Sequence, residues 1–485
     1  MLSAFSLFLA ITGPRAQTAP GPNVGPNLRD DIAAAAAALP AAIEAYRREG
    51  LPWTAADLQP KPPIPDAENA APPLRQAVDA IDWREWGVDS MAVAVRAGFD
   101  EDVQEVVSSY RPMLNLLYRA VQKPRYWYWR DYDQGPALLL PEYPEFKLMI
   151  RALVFTAEFD ALHGKVEESV RELETARRLS NLFARESGPL VGALVQFACA
   201  AIVFAAEERI LAIPSLQHAD RAKLAEECMK PTDVSHIASC LSVEAFFPIL
   251  LLRRSRPIDP RHATEAEWNR FMGADTDGHI VGDPTLYWKP AAASALVPDD
   301  LASRASLTRI LQFWTETARR ARVLPNIREL TKEMDARIAA IVPGEPGSGG
   351  PGQANPGQGA PRAVGASYLF LFRVAPIFRN SGEAEMRTVA AERCARALAF
   401  ALAERDRTGK FPLDAERYPT PMQDPFGGTL KIKLTADGVR IYSVGPDGVD
   451  NGGIARRELA DKSAESGYDI VASYPPLTHL FQIAR

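Results

Sequence analysis

Residues 424–453 constrain the fold more than any other stretch of the chain. Asp424-Pro425-Phe426-Gly427-Gly428 leads into TLKIKL, then Thr435-Ala436-Asp437-Gly438, then VRIYSV. The acidic, glycine-rich run Gly445-Pro446-Asp447-Gly448-Val449-Asp450-Asn451-Gly452-Gly453 follows. Apolar residues alternating with polar ones predict two strands. Asp437-Gly438 tolerates positive φ and predicts a two-residue type I′ turn between them. That register sets Leu434 opposite Ile441 and Ile432 opposite Ser443. Leu430, Ile432, Leu434 and Ile441 then share one face, with Lys431, Lys433 and Arg440 on the other. A lone hairpin is marginal in water, so its apolar face needs a cover. The nearest cover is an amphipathic helix expected over 383–407, with Met386, Ala390, Cys394, Ala397 and Ala401 at three- and four-residue spacing. Ser381 is the expected N-cap and Gly409 the expected stop. Glu383 and Glu385 at the start, and Arg405 and Arg407 at the end, suit the helix dipole.

Asp424-Pro425-Phe426-Gly427, the hairpin, Ile441-Tyr442-Ser443-Val444-Gly445-Pro446-Asp447-Gly448 and Gly452-Gly453, in that order, resemble the C-terminal domain of the type II secretion major pseudopilin. The resemblance covers about the last quarter of the chain. It implies a small α+β domain over 364–485, a helix packed on a short antiparallel sheet, outside the cytoplasm. In that family the acidic loop binds calcium. By resemblance Asp447 and Asp450 fall in the calcium loop, and Asp469-Ile470 matches the family's closing Asp-Ile, which makes Asp469 a third candidate ligand. Calcium takes about six to eight oxygens, which carboxylates and loop carbonyls supply. The insert Ile454–Tyr468 is longer than the family's loop. Read from its residues alone, the same loop is a solvated acidic turn whose glycines serve backbone geometry. The family's domain sits directly behind an N-terminal membrane helix, whereas several hundred residues precede it here, with no prepilin motif.

The N-terminal run LSAFSLFLAITG, followed by Pro14-Arg15-Ala16 and Pro/Gly-rich sequence, reads as a signal peptide over 1–19 without its basic n-region. It is shorter than the roughly 20 residues of a membrane helix, and no integral membrane span is expected. Export follows, to the periplasm or beyond. A net charge of −6 offers no basic surface for nucleic acid. The four cysteines, Cys199, Cys228, Cys240 and Cys394, lack any CxxC pattern and read as small core residues.

Between the ends, 28–342 reads as an irregular α-helical body. Helices are expected over 29–49, 74–83, 101–121 (with Pro112 as a break or a new first turn), 218–229, 233–254 and 301–341 (with a kink near Pro325). Its best-marked part is 145–211. There Phe146–His163, Val166–Arg185 and the uniformly apolar Leu190–Leu211 form three helices, the first two a hairpin resembling a tetratricopeptide unit around Gly164. Residues 343–362, PGEPGSGGPGQANPGQGAPR, are too poor in apolar groups to fold and read as a linker between domains. Beyond them, Tyr368–Phe378 reads as an extension of the 383–407 helix, broken near Pro376. The fold class expected is mainly α: an irregular helical body plus a small C-terminal α+β domain.

Chemistry is sparse. There is no G-x-S-x-G, H-E-x-x-H, P-loop or dinucleotide fingerprint. Asp275-Thr276-Asp277-Gly278 imitates an EF-hand loop but has Gly273 and Pro284 where its first and last ligands belong. His236 and Cys240, four apart, with Cys228 nearby, admit a zinc reading that lacks a fourth ligand. The strap Pro124–Tyr132 is dense in rings, which either form a stacking platform or plug the groove between helices. These features favour an exported, non-enzymatic scaffold that binds a protein partner in the cell envelope. The alternatives are an accessory component of a type II secretion or pilus-like assembly, and an envelope hydrolase with its site near the strap.

Overall fold

The computed structural model describes residues 26–80, 100–185, 188–234, 237–254, 301–323, 327–341, 365–459 and 467–477. The signal-peptide region, the linker and the EF-hand-like turn lie outside the described residues, as does His236. The described residues form twelve α-helices and three strands. The helices are α1 (Pro26–Ala37), α2 (Leu39–Arg48), α3 (Ala71–Asp79), α4 (Asp100–Ala120), α5 (Glu142–Leu162) and α6 (Val166–Ala184). They continue as α7 (Leu190–Leu211), α8 (His218–Cys228), α9 (Ile237–Arg254), α10 (Leu301–Ala321), α11 (Ile327–Ile341) and α12 (Gly365–Thr408). The strands are β1 (Lys431–Leu434), β2 (Val439–Ser443) and β3 (Ile470–Tyr474), joined in the order β1-β2-β3, all antiparallel.

Helix α7 explains the layout of the body. It is apolar on every side because it touches a different apolar cluster along each part of its length. Leu190, Ala193 and Phe197 pack with residues of α2, α9, α10 and α11. Cys199, Val203 and Ala206 pack with α3 to α6. Ile210 and Leu211 pack with α8, α12 and the sheet. Among the described residues it is the one helix long and apolar enough to cross a membrane, yet most of that apolar window is buried inside the protein. The α5–α6 hairpin turns at Gly164, whose φ of 71° is open to glycine at no steric cost. The amide of Lys165 closes the turn on the carbonyl of Asp160 at 2.8 Å.

Three helices differ in detail from the local sequence pattern. Pro112 lies inside α4 and does not end it. The 301–341 run is two helices, α10 and α11, parted before Ile327. Helix α12 runs from Gly365 through Pro376 and Ser381 to Thr408, so Ser381 is a buried mid-helix residue and not an N-cap. At 44 residues it is about 66 Å long. Its register against the body outweighs the Ser-Gly-Glu signal that reads as a helix start.

The hairpin also differs in detail. Ile432 pairs with Ile441 and Leu434 with Val439, two residues from the register a two-residue turn would give. The loop is Thr435–Gly438, closed by the Thr435 amide on the Gly438 carbonyl at 2.9 Å. Gly438 is required for another reason than positive φ. A Cβ there would fall 1.8 Å from the carbonyl oxygen of Tyr474, because the end of β3, paired with β2 at Val439, lies directly alongside it. The shift of two keeps side-chain parity, so Val439 and Ile441 are buried, but it leaves Leu434 at the tip, 51% exposed.

Candidate functional site

The Asp-Pro-Phe-Gly motif and the end of β2 interlock. Asp424 is buried, and its Oδ1 accepts from the Ser443 hydroxyl at 2.8 Å and the Phe426 amide at 2.9 Å. Its Oδ2 accepts from the Val444 amide at 3.1 Å. The Ser443 hydroxyl in turn accepts from the Gly445 amide at 3.1 Å. One carboxylate thus ties the strap to the strand end, which gives this sequence pattern a structural cause.

The acidic loop is organised in the same way. Asp447 accepts from the amides of Val449 and Gly467, each at 3.1 Å. Asp450 Oδ1 accepts from the Gly452 amide at 2.9 Å and the Tyr442 hydroxyl at 3.1 Å. Asp469 is buried, and accepts from the Asn451 amide at 3.3 Å and the Gly453 amide at 2.7 Å. Burial raises its pKa, opposed by the Gly453 and Asn451 amides, and the nearby charge of Asp450 adds to the rise. Asp450 and Asp469 therefore face one another beside Tyr442, while Asp447 turns toward Gly467. All three spend carboxylate oxygens on amide donors. Among the described residues there is no group of three His, Cys, Asp or Glu side chains able to hold a metal ion. In this structure the loop is held by its own amides.

Of the residues in the zinc reading, His236 lies outside the described residues, and the two cysteines fall in different clusters. Cys228 lies in the cluster shared by α8 and the sheet, and Cys240 in the separate cluster around Trp314. The aromatic strap is mostly packing. Tyr126 sits edge-on to Phe146 and Phe183, and Tyr132 is buried against Phe246 and Val243. Arg130 lies over Tyr143 and bonds Glu142 at 2.7 Å. Only Trp129, among the strap's rings, is largely exposed.

Two clusters of buried charge have no counterpart in any motif. In the first, Arg111 of α4 bridges Asp160 of α5 and Glu172 of α6, at 3.1 and 3.3 Å, and Tyr118 donates to Glu172 at 2.6 Å. Both carboxylates are wholly buried. Burial lifts Glu172 to about 7. In the second, Arg177 of α6 bonds Glu207 of α7 at 3.2 Å and Glu227 of α8. Burial lifts Glu207 to about 7 as well. The sequence carried one signal for these sites: Glu207-Glu208-Arg209 interrupts an otherwise apolar helix.

Glu208 and its neighbours join the body to the C-terminal tail. Glu208 Oε1 accepts from the Ser473 hydroxyl at 3.2 Å and the Ser473 amide at 3.4 Å on β3. Arg221 of α8 donates to Asp406 of α12 at 2.8 Å and to the carbonyls of Leu211 and Ile213. Glu385 of α12 accepts the Ile237 amide at the start of α9, at 2.9 Å. Arg396 donates to the Met229 carbonyl at 2.8 Å. One α12 face carries Cys394, Ala397, Leu398 and Ala401 into a cluster that holds both the sheet residues Val439 and Ile441 and the body residues Leu211 and Leu224. The apolar core therefore runs without a break from body to tail.

No protein family, curated protein or solved structure matches this chain.

Proposed function

We propose that this chain is an exported, non-enzymatic scaffold of the cell envelope, whose helical body engages a protein partner and whose pseudopilin-like tail is a permanent part of the same particle. The observation that carries this reading is the position of α12. One of its faces covers the sheet and its flanks are held by α7, α8 and the start of α9. A module clamped in this way serves as a structural part of its own chain. That favours the scaffold over the accessory component of a secretion or pilus-like assembly. The strap favours the scaffold over an envelope hydrolase, since Tyr126 and Tyr132 are buried in the packing between helices. Export rests on the N-terminal apolar run and on the tail's resemblance to an extracytoplasmic domain.

Fractionation with N-terminal sequencing tests the location: the mature chain should begin near Gln17 or Pro20, and an intact Met1 on cytoplasmic protein would overturn export. Affinity capture from the envelope fraction tests the role. Recovery of pseudopilins or other secretion-machinery components would favour the accessory reading, and a stoichiometric partner outside that machinery would favour the scaffold.

A further inference from the structure

The second charged cluster lies where the body meets the tail. Arg177 has two buried carboxylate partners, Glu207 and Glu227, and all three side chains are about 4% exposed. Glu227 also takes Lys230, at 2.5 Å, from the segment that leaves α8. That same short segment holds α12. Its Met229 carbonyl accepts from Arg396, and its Thr232 amide donates to Glu392 at 3.5 Å. Glu392 and Arg396 pair with each other at 3.0 Å. The groups around Glu207 are thus Arg177 from α6, Glu227 and Cys228 from α8 and Glu392 from α12, with Lys230 and Arg396 behind them as the partners of Glu227 and Glu392. Arg209, two residues along α7 from Glu207, is occupied by Glu158 of α5. Glu208 faces β3 and Glu244 of α9 sits at the far end of α7 on the Leu190 amide.

We propose that the Arg177–Glu207–Glu227 junction is a proton-controlled latch, which holds α12 and the tail tightly on the body while Glu207 is protonated and loosens them when Glu207 ionises. Arg177 is the buried cation between the two buried carboxylates, and Lys230, 53% exposed, adds only a solvent-screened charge on Glu227, so the second negative charge is balanced in part. An ionised Glu207 needs further donors, and those nearest are committed to Glu227 and Glu392. Water supplies them when the exit of α8 parts from α12. The Met229 and Thr232 contacts give way with it, because they lie within five residues of Glu227. Glu392 adds a like charge from the α12 side. The placement of Glu207 near 7, set mainly by burial, puts the transition close to neutrality.

Hydrogen exchange of the α12 amides over 390–402, in the full chain and corrected for the pH dependence of the chemical step, reads the latch directly. A carboxyl that titrates near 7 when closed and at its ordinary value when open makes the opened population rise about tenfold from pH 6 to pH 8. Glu207→Gln copies the protonated form and should hold α12 protection constant over that range. Glu172→Gln and Glu244→Gln, which remove the other carboxyls that titrate near 7, should keep the tenfold change. A second variant, Glu392→Gln, removes the facing charge and should reduce the change even if Glu207→Gln fails to fold. A wild-type chain with flat protection, a Glu207→Gln chain that keeps the tenfold change, or a Glu392→Gln chain identical to wild type would each overturn the proposal.

Discussion

Truncating Ile441 to alanine tests the hairpin register and the continuity of the core together. Ile441 is fully buried at the centre of the sheet, between Ile432 on β1 and Ala472 on β3. Its cluster includes Ala397, Leu398 and Leu402 of α12 as well as Leu211 of the body. The small α12 side chains bring the helix close to the sheet, so little can relax into the space left. Removal of a buried aliphatic side chain down to Cβ costs ~2–5 kcal/mol through lost transfer energy plus cavity. Leu434 is the internal control. In the register of a two-residue turn it would face Ile441 and be equally buried, and the two truncations would cost alike. In the observed register it is 51% exposed, so Leu434→Ala should cost under ~1 kcal/mol. Urea unfolding of the full chain, followed by far-UV dichroism, gives both values from the midpoint shift at constant slope. Equal shifts for the two variants would refute the register and the burial argument built on it.

Three further outcomes follow from the same contacts. Asp424→Ala leaves the Ser443 hydroxyl and the Phe426 and Val444 amides without their acceptor, and should destabilise by about 3 kcal/mol or more in the same assay, with Asp424→Asn recovering part of the loss. Gly438→Ala must displace the Tyr474 carbonyl and should cost at least ~2 kcal/mol, whereas a turn that needed only positive φ at this position would still accept Gly438→Asn, which the neighbouring end of β3 forbids. Glu172, Glu207 and Glu244 each titrate near 7 in the folded chain, above the ordinary carboxylate value, through burial. The folded state therefore binds more protons than the unfolded state between about pH 4.5 and 7, and stability falls as pH rises through that window. Thermal melts at pH 5.5 and 7.5 should show the higher midpoint at pH 5.5, and the reverse order would contradict the burial of these groups.

The parts of this fold legible in the sequence are those where local and tertiary forces agree. Helices α5, α6 and α7 were readable because apolar spacing, the Gly164 turn and packing all point the same way. The hairpin strands and the helix that covers them were readable from period-two and helical spacing. The exact register was not. It depends on Tyr474 of β3 arriving beside Gly438 from beyond a long insert, and no local pattern records that approach. The same holds for Ser381, whose capping chemistry is overruled by contacts between α12 and the body. The acidic loop was legible as a loop holding Asp447 and Asp450, with Asp469 as the closing residue beyond the insert. Its bonding to backbone amides was not, because amide direction depends on the left-handed glycines Gly448, Gly452 and Gly453 acting together. Buried charge was the least visible feature. Arg111, Asp160 and Glu172, or Arg177, Glu207 and Glu227, come from three different helices each and meet only after those helices have packed.

The central claim is that body and tail form one particle through α12, and cleavage of the chain between them tests it most directly. A specific protease site placed within 343–362 allows a single cut that leaves every described contact intact. The account predicts that the two fragments stay together on size-exclusion chromatography at low micromolar concentration and unfold in one transition, because Arg221, Glu208, Glu385 and the shared apolar cluster hold them. A folded tail fragment that elutes by itself and melts independently of the body would contradict it.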